Sequence, residues 1–190
     1  MLPRSDTDLV LAALADGSEA ASARDEIIHR YHEKIYAFLF KLTGKREDAE
    51  DLTQDTLLLA LRKLKTFKAG HQLLPWLFTI ARRTAISQWR KSKPSVPLLD
   101  SDHPSTESDR PHDTVALWKI AKKALNPNEF TALWMHYQED LPLKEVARVL
   151  GKTAPHAKVI LFRARKRLGN ELLSTGEAWL PGQTANLTSP

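Results

Sequence analysis

The chain contains no cysteine, which removes disulfides, thiolate zinc sites, cysteine nucleophiles and a thiol redox switch together. It has no convincing stretch of alternating β-branched residues, so nothing in it asks for a sheet. Near the N-terminus stand Asp6 and Asp8 instead of a basic export segment, and the apolar run Leu9 to Leu14 is too short for a signal core or a bilayer span. These absences predict a cytoplasmic, all-α protein with no membrane insertion.

A further absence is local. No acid occurs from Thr56 through Leu99, whereas Glu47, Asp48, Glu50, Asp51 and Asp55 stand just before that stretch with no base among them. The acid-free stretch carries Arg62, Lys63, Lys65, Lys68, Arg82, Arg83, Arg90, Lys91 and Lys93. A solvated helix ordinarily mixes signs, so the separation points to two surfaces with different partners. The net charge of +5 and pI near 9.5 fit an anionic partner without requiring one.

With 190 residues, 42% of them hydrophobic, there is material for one large or two small cores. Apolar residues recur at three and four spacings, predicting helices near 6–15, 19–43, 46–66, 74–92, 113–125, 127–138, 142–150 and 154–172. Between the two groups of four, residues 92–112 hold Pro94, Pro97, Pro104 and Pro111 among serines, the composition of a flexible linker. The expected organisation is a domain over 1–91, the linker over 92–112, a second domain over 113–173, and a disordered tail over 174–190 anchored at most by Trp179 and Leu180.

The sharpest local signal is LPLKEVARVLGKTAPHAKVILFRARKRL, from Leu141 to Leu168. A first helix would bury Leu143, Val146, Ala147 and Leu150. Gly151 would supply a turn with positive φ, Thr153 would cap the second helix, and Pro155 would sit in its first turn. The second helix would bury Ala157, Ile160, Leu161, Ala164 and Leu168. His156, Lys158, Val159, Phe162, Arg163, Arg165, Lys166 and Arg167 then face outward, and no acid occurs between Val146 and Asn170. Such a helix fits the DNA major groove; the plain alternative is a basic helix packed in an ordinary bundle.

In the first half, Asp48, Asp51 and Asp55 fall at i, i+3 and i+7 and line one helix face, with Ala49, Leu52, Thr56 and Ala60 turned inward. Compensation of the helix dipole accounts for acids in a first turn, but Asp55 is too far along. In LPWLFTIARRTAISQWR, Leu77, Ile80, Ala81 and Thr84 form the core face, leaving Phe78, Arg82, Arg83, Trp89 and Arg90 elsewhere. Aromatics beside arginines suit unpaired nucleic acid. Burial of Phe78 and Trp89 against a neighbouring helix is the competing reading, and the commoner one for single aromatics.

DLTQDTLLLALRKLKTF, then PWLFTIARRTAISQWRK, then LPLKEVARVLG with a basic second helix, resembles the extracytoplasmic-function (ECF) sigma factors in order and spacing. The resemblance spans about Asp6 to Leu172. It implies two helical domains, a sigma-two bundle and a sigma-four helix-turn-helix, and a role in bringing core RNA polymerase to promoter DNA, with no catalysis and no cofactor. It also leaves room for an anti-sigma factor as a further partner.

Carried over, Asp48, Glu50, Asp51, Gln54 and Asp55 would meet the polymerase clamp helices. The loop Phe67 to Leu74 and the following helix would capture an unstacked minus-ten base and hold the opened strand, through Lys68, His71, Gln72, Trp76, Arg82, Arg83, Trp89 and Arg90. Lys152, Thr153, His156, Lys158, Val159, Phe162, Arg163 and Arg165 would face the minus-thirty-five element, phosphate contacts setting register and base contacts setting sequence. Arg83, Pro155, Val159 and Ile160 depart from residues frequent in the family, so base preference does not transfer.

Two other classes fit parts of the chain. A dimeric helix-turn-helix repressor would leave the acidic strip and the PWLFTIARR helix without a role. A helical enzyme could use His29 and His32, or the carboxylates of Asp48 to Asp55, as metal ligands, but the histidines lack an HExxH pattern or a clear third ligand.

Overall fold

The computed structural model describes residues 4–91 and 112–175. All regular structure among them is helical, and the chain divides into two compact units, Met1–Pro104 and Ser105–Pro190. The linker expected over 92–112 lies outside the described residues except for its last position, as does the tail beyond Thr175 with Trp179 and Leu180.

Among its described residues the first unit holds four α-helices: α1 (Asp6–Leu14), α2 (Ser18–Thr43), α3 (Arg46–Lys63) and α4 (Leu73–Lys91), with a 3₁₀ turn at Leu64–Thr66 finishing α3. Ser5 caps α1 by accepting a hydrogen bond from the Asp8 amide at 3.2 Å. Gly44 ends α2 at φ 73°, a left-handed conformation that costs glycine least. The long α2 is the spine: Ala23, Ile27, Tyr31, Ile35, Phe38 and Leu42 recur on its buried side, against which α1, α3 and α4 pack. Ala49, Leu52, Thr56 and Ala60 are buried on α3, as their spacing predicts.

On α4 the buried set is wider than the sequence pattern suggests. Leu77, Ile80 and Ala81 are inside as expected, and Leu73, Phe78 and Ala85 join them. Thr84 is only half-buried, its hydroxyl bonded to the Ile80 carbonyl at 3.0 Å. Phe78, placed away from the core by the helical wheel, is fully enclosed and meets the edge of Phe38 at 5.3 Å between ring centres. Such a pair adds about 1 kcal/mol to the burial of both rings, and it removes Phe78 from any DNA-facing surface.

The second unit holds α5 (His112–Ala124), α6 (Pro127–Leu133), α7 (Leu143–Leu150) and α8 (Ala154–Thr175). Asn126 and Glu129 form a reciprocal capping box at the start of α6, where Pro127 occupies the first turn. Trp118, Phe130 and Trp134 cluster at centroid distances of 4.7 to 6.3 Å and form the aromatic centre of this core. The helix expected over 127–138 widens after Leu133 into a π turn, Trp134–Gln138, closed by the Glu139 amide on the Trp134 carbonyl. Asp140 then turns the chain at φ 51°, a conformation that Asp tolerates better than most residues.

Candidate nucleic-acid and polymerase interface

The turn of the helix-turn-helix falls at Gly151, where its sequence predicts it. At the end of α7, Gly151 takes φ 64°; its amide bonds the Arg148 carbonyl at 3.1 Å and the Lys152 amide bonds the Ala147 carbonyl at 2.9 Å. This paired closure stops α7 and redirects the chain into α8. Val146, Ala147 and Leu150 are buried; Leu143 is only half-buried, and Val149, outside the expected set, is inside.

Ala157, Ile160, Leu161, Ala164 and Leu168 anchor α8 to the unit, so the opposite faces are presented outward. Lys152, Thr153, His156, Lys158, Val159, Phe162 and Arg163 are exposed, and Arg165 is half-buried. Val159 and Phe162 stand 45% and 53% exposed. These large apolar groups stand amid Lys158, Arg163 and Lys166 on the outward side of α8. Arg167 is different: it donates to Glu129 Oε2 at 3.0 Å, and Glu129 is buried and also accepts from the Asn126 amide. This arginine ties α8 to the cap of α6.

On α4, Arg83 and Arg90 are exposed at i and i+7, while Arg82 and Trp89 form the adjacent, half-buried stripe. Burial, with the charge of Arg83 second, lowers the Arg82 pKa from its ordinary value. Before α4, Lys68, His71 and Gln72 are exposed in the loop, where Gly70 takes φ 82°. Phe67 meets the half-buried Trp76 edge-on at 5.8 Å, joining the loop to the first turns of α4. The loop residues and the two arginine-bearing stripes thus belong to one continuous segment.

On α3, Glu50, Asp51, Gln54 and Asp55 are exposed and Asp48 is half-buried. Glu50 accepts from Arg46 at 2.7 Å, and this bond raises the arginine's pKa. One residue on this face escapes a reading of charge alone. Leu58, one turn beyond Gln54 and Asp55, is 49% exposed. Its signal is positional, since it falls outside the Leu52, Thr56, Ala60 register, and it gives the acidic strip an apolar anchor.

Among the described residues, no group of three His, Asp or Glu side chains is placed to hold a metal ion. His32 instead stacks on Tyr36, and Tyr36 on Phe40, along α2. No described helix is long and apolar enough to cross a membrane.

Comparison with known proteins places family matches on both units. The family model of sigma-70 region 2 matches residues 27–94 and that of sigma-70 region 4 matches residues 121–168. The chain is 31% identical over 150 residues to the ECF RNA polymerase sigma factor SigM of Bacillus subtilis, covering 76% of this chain and 91% of that one. It is 29% identical over 182 residues to the ECF sigma factor BldN of Streptomyces coelicolor, covering 90% and 69%. Among solved structures, the sigma factor RpoE of Bartonella quintana, crystallised with the anti-sigma factor NepR, superimposes with a TM-score of 0.67 at 27% identity, covering 81% of this chain and 98% of that one.

Proposed function

The chain belongs to the ECF RNA polymerase sigma factors, and from that premise we propose which of its residues carry out promoter-directed transcription initiation. The observation that carries the assignment is the sorting of charge by surface. An acidic strip with an apolar anchor lies on α3, and cationic faces lie on α4 and α8.

Asp48, Glu50, Asp51, Gln54 and Asp55, with Leu58 at the end of the strip, dock on core RNA polymerase. Desolvated apolar anchors ringed by charge are the usual source of binding energy at such contacts, while the carboxylates set orientation and encounter rate. Lys68, His71, Gln72, Trp76, Arg82, Arg83, Trp89 and Arg90 receive the opened minus-ten strand: aromatic rings stack on bases and guanidinium groups hold phosphates. The half-burial of Arg82 and Trp89 gives these two a supporting part beside the exposed Arg83 and Arg90.

Lys152, Thr153, His156, Lys158, Val159, Phe162, Arg163 and Arg165 face the minus-thirty-five duplex. Residues 1–91 form the polymerase and minus-ten domain and 113–173 the minus-thirty-five domain, joined through 92–112. The protein acts in the cytoplasm, as a transcription initiation factor without catalysis of its own. The Bartonella relative is bound by an anti-sigma factor, and we extend that class of partner to this chain.

The decisive test is charge reversal on α3. Asp51→Lys with Asp55→Lys should abolish co-purification with core polymerase while thermal unfolding stays within about 0.5 kcal/mol of wild type, as for surface changes generally. Undiminished co-purification would remove the strip from the interface.

A further inference from the structure

We propose that Asp6 and Thr7, in the first turn of α1, are positioning residues that hold the minus-ten loop in its base-capturing shape. The inference rests on the reading of residues 67–74 as that loop. Helix α4 opens at Leu73 after His71 and Gln72, with no Ser, Thr, Asp or Asn at the position that ordinarily caps a helix. The cap comes from elsewhere. The Leu73 amide donates to Asp6 Oδ2 at 2.7 Å, across 67 positions of sequence. The Gly70 amide points to Thr7 Oγ1 at 3.4 Å. A carboxylate at the positive end of a helix also stabilises the helix dipole.

Asp6 is itself held firmly. Its Oδ1 accepts from the Tyr31 hydroxyl and lies 3.6 Å from Arg30 Nη1. Arg30 in turn bonds Glu26 at 2.5 Å and the Arg4 carbonyl at 2.9 Å. One carboxylate therefore joins α1, α2 and the start of α4.

The two bonds from α1 bracket His71 and Gln72 without covering them, for both remain exposed. Within the loop, the backbone closes on itself through the His71 amide on the Lys68 carbonyl at 3.3 Å, and the bonds from α1 add a hold on Gly70 and Leu73 from outside it. Helix α1 carries no Lys or Arg with which to hold DNA directly. It acts through the loop, and its contribution is preorganisation: a pocket already shaped loses less entropy when an unstacked base enters.

The test uses holoenzyme reconstituted from core polymerase and the full chain, with a fluorescent single-stranded oligonucleotide carrying the minus-ten sequence of a promoter that the holoenzyme transcribes. Asp6→Ala removes the Leu73 cap together with the Tyr31 and Arg30 contacts and should weaken oligonucleotide binding roughly 10-fold or more. Thr7→Val, nearly isosteric, should weaken it about 2-fold, in keeping with its longer contact. Asp6→Asn keeps an acceptor for the Leu73 amide and should recover most of the binding. Competition for core polymerase, and binding to a duplex bearing only the minus-thirty-five element, should not change.

If Asp6→Ala binds like wild type while His71→Ala and Gln72→Ala weaken binding, the loop reading stands and the role of α1 falls. If the loop variants are also silent, the loop reading fails and takes this inference with it. A parallel loss of core binding would make Asp6 a folding residue only. Should Asp6→Ala not fold, Thr7→Val and Asp6→Asn decide: a deficit in the first and near-normal binding in the second support the role, and two wild-type affinities overturn it.

Discussion

Single residues here carry separable tasks. Arg163 is exposed on α8, whereas Arg167 on the same helix is held by Glu129. Arg163→Ala should therefore weaken promoter binding and lower the slope of log affinity against log salt by about 1, the signature of one lost phosphate contact. An unchanged slope in a fluorescence-anisotropy titration would take Arg163 off the backbone. Tyr31 is buried and donates its hydroxyl proton to Asp6; burial first, then that bond, push its pKa well above the ordinary tyrosine value. A raised pKa means that the fold favours the neutral phenol. The associated stability is complete below the ordinary tyrosine pKa and is lost as pH climbs above about 10. Chemical unfolding followed from pH 8 upward should show this decline, and Tyr31→Phe should flatten it while lowering stability at neutral pH.

Elements show what the sequence discloses and what it withholds. The place of the turn between α7 and α8 is legible, because glycine at a fixed place after an apolar helix has a physical reason: Gly151 sits at φ 64°, with open space where a Cβ would point. Gly151→Ala should therefore cost about 1 kcal/mol through backbone strain alone, and Gly151→Asn less, as thermal unfolding would measure. An Ala variant as stable as wild type would contradict the strain. Helix α4 is less legible. The wheel assigns it one buried face, but α2 and α3 both pack against it, so Phe78 and Ala85 are enclosed too and the true core stripe is broader. The π turn after Leu133 had no signature in composition, since it depends on which carbonyl each amide reaches. The capping of α4 by Asp6 was equally hidden: the partners are 67 positions apart, and a missing local cap is visible in HQLLP only as an absence.

At the scale of the whole molecule, charge segregation was the most informative feature of the sequence. Helix periodicity anticipated the eight α-helices of the described residues, with ends unmoved or shifted by one to three residues except in α6, which gives way to the π turn at Leu133. Sign purity from Glu47 to Asp55, along α4 and from Ala147 through Gly169 pointed to the surfaces, because acids and bases kept apart at a cost in self-repulsion suit partners of opposite charge. What remained hidden was contact between elements, such as the hold of Glu129 on Arg167, since pairing across a fold leaves no periodic trace. On the proposed assignment, joining a duplex reader and a strand-trapping unit in one chain raises the effective concentration of each at the promoter once the other is bound. Neither unit then needs high affinity alone.

The most direct test of this division of labour is transcription from a library of genomic fragments by core RNA polymerase with and without the full-length chain. Starts at a defined set of sites are expected only when the chain is present, and the Asp51→Lys, Asp55→Lys protein should yield none of them. The same starts at the same yield from core polymerase alone, or from polymerase with the charge-reversed chain, would contradict it.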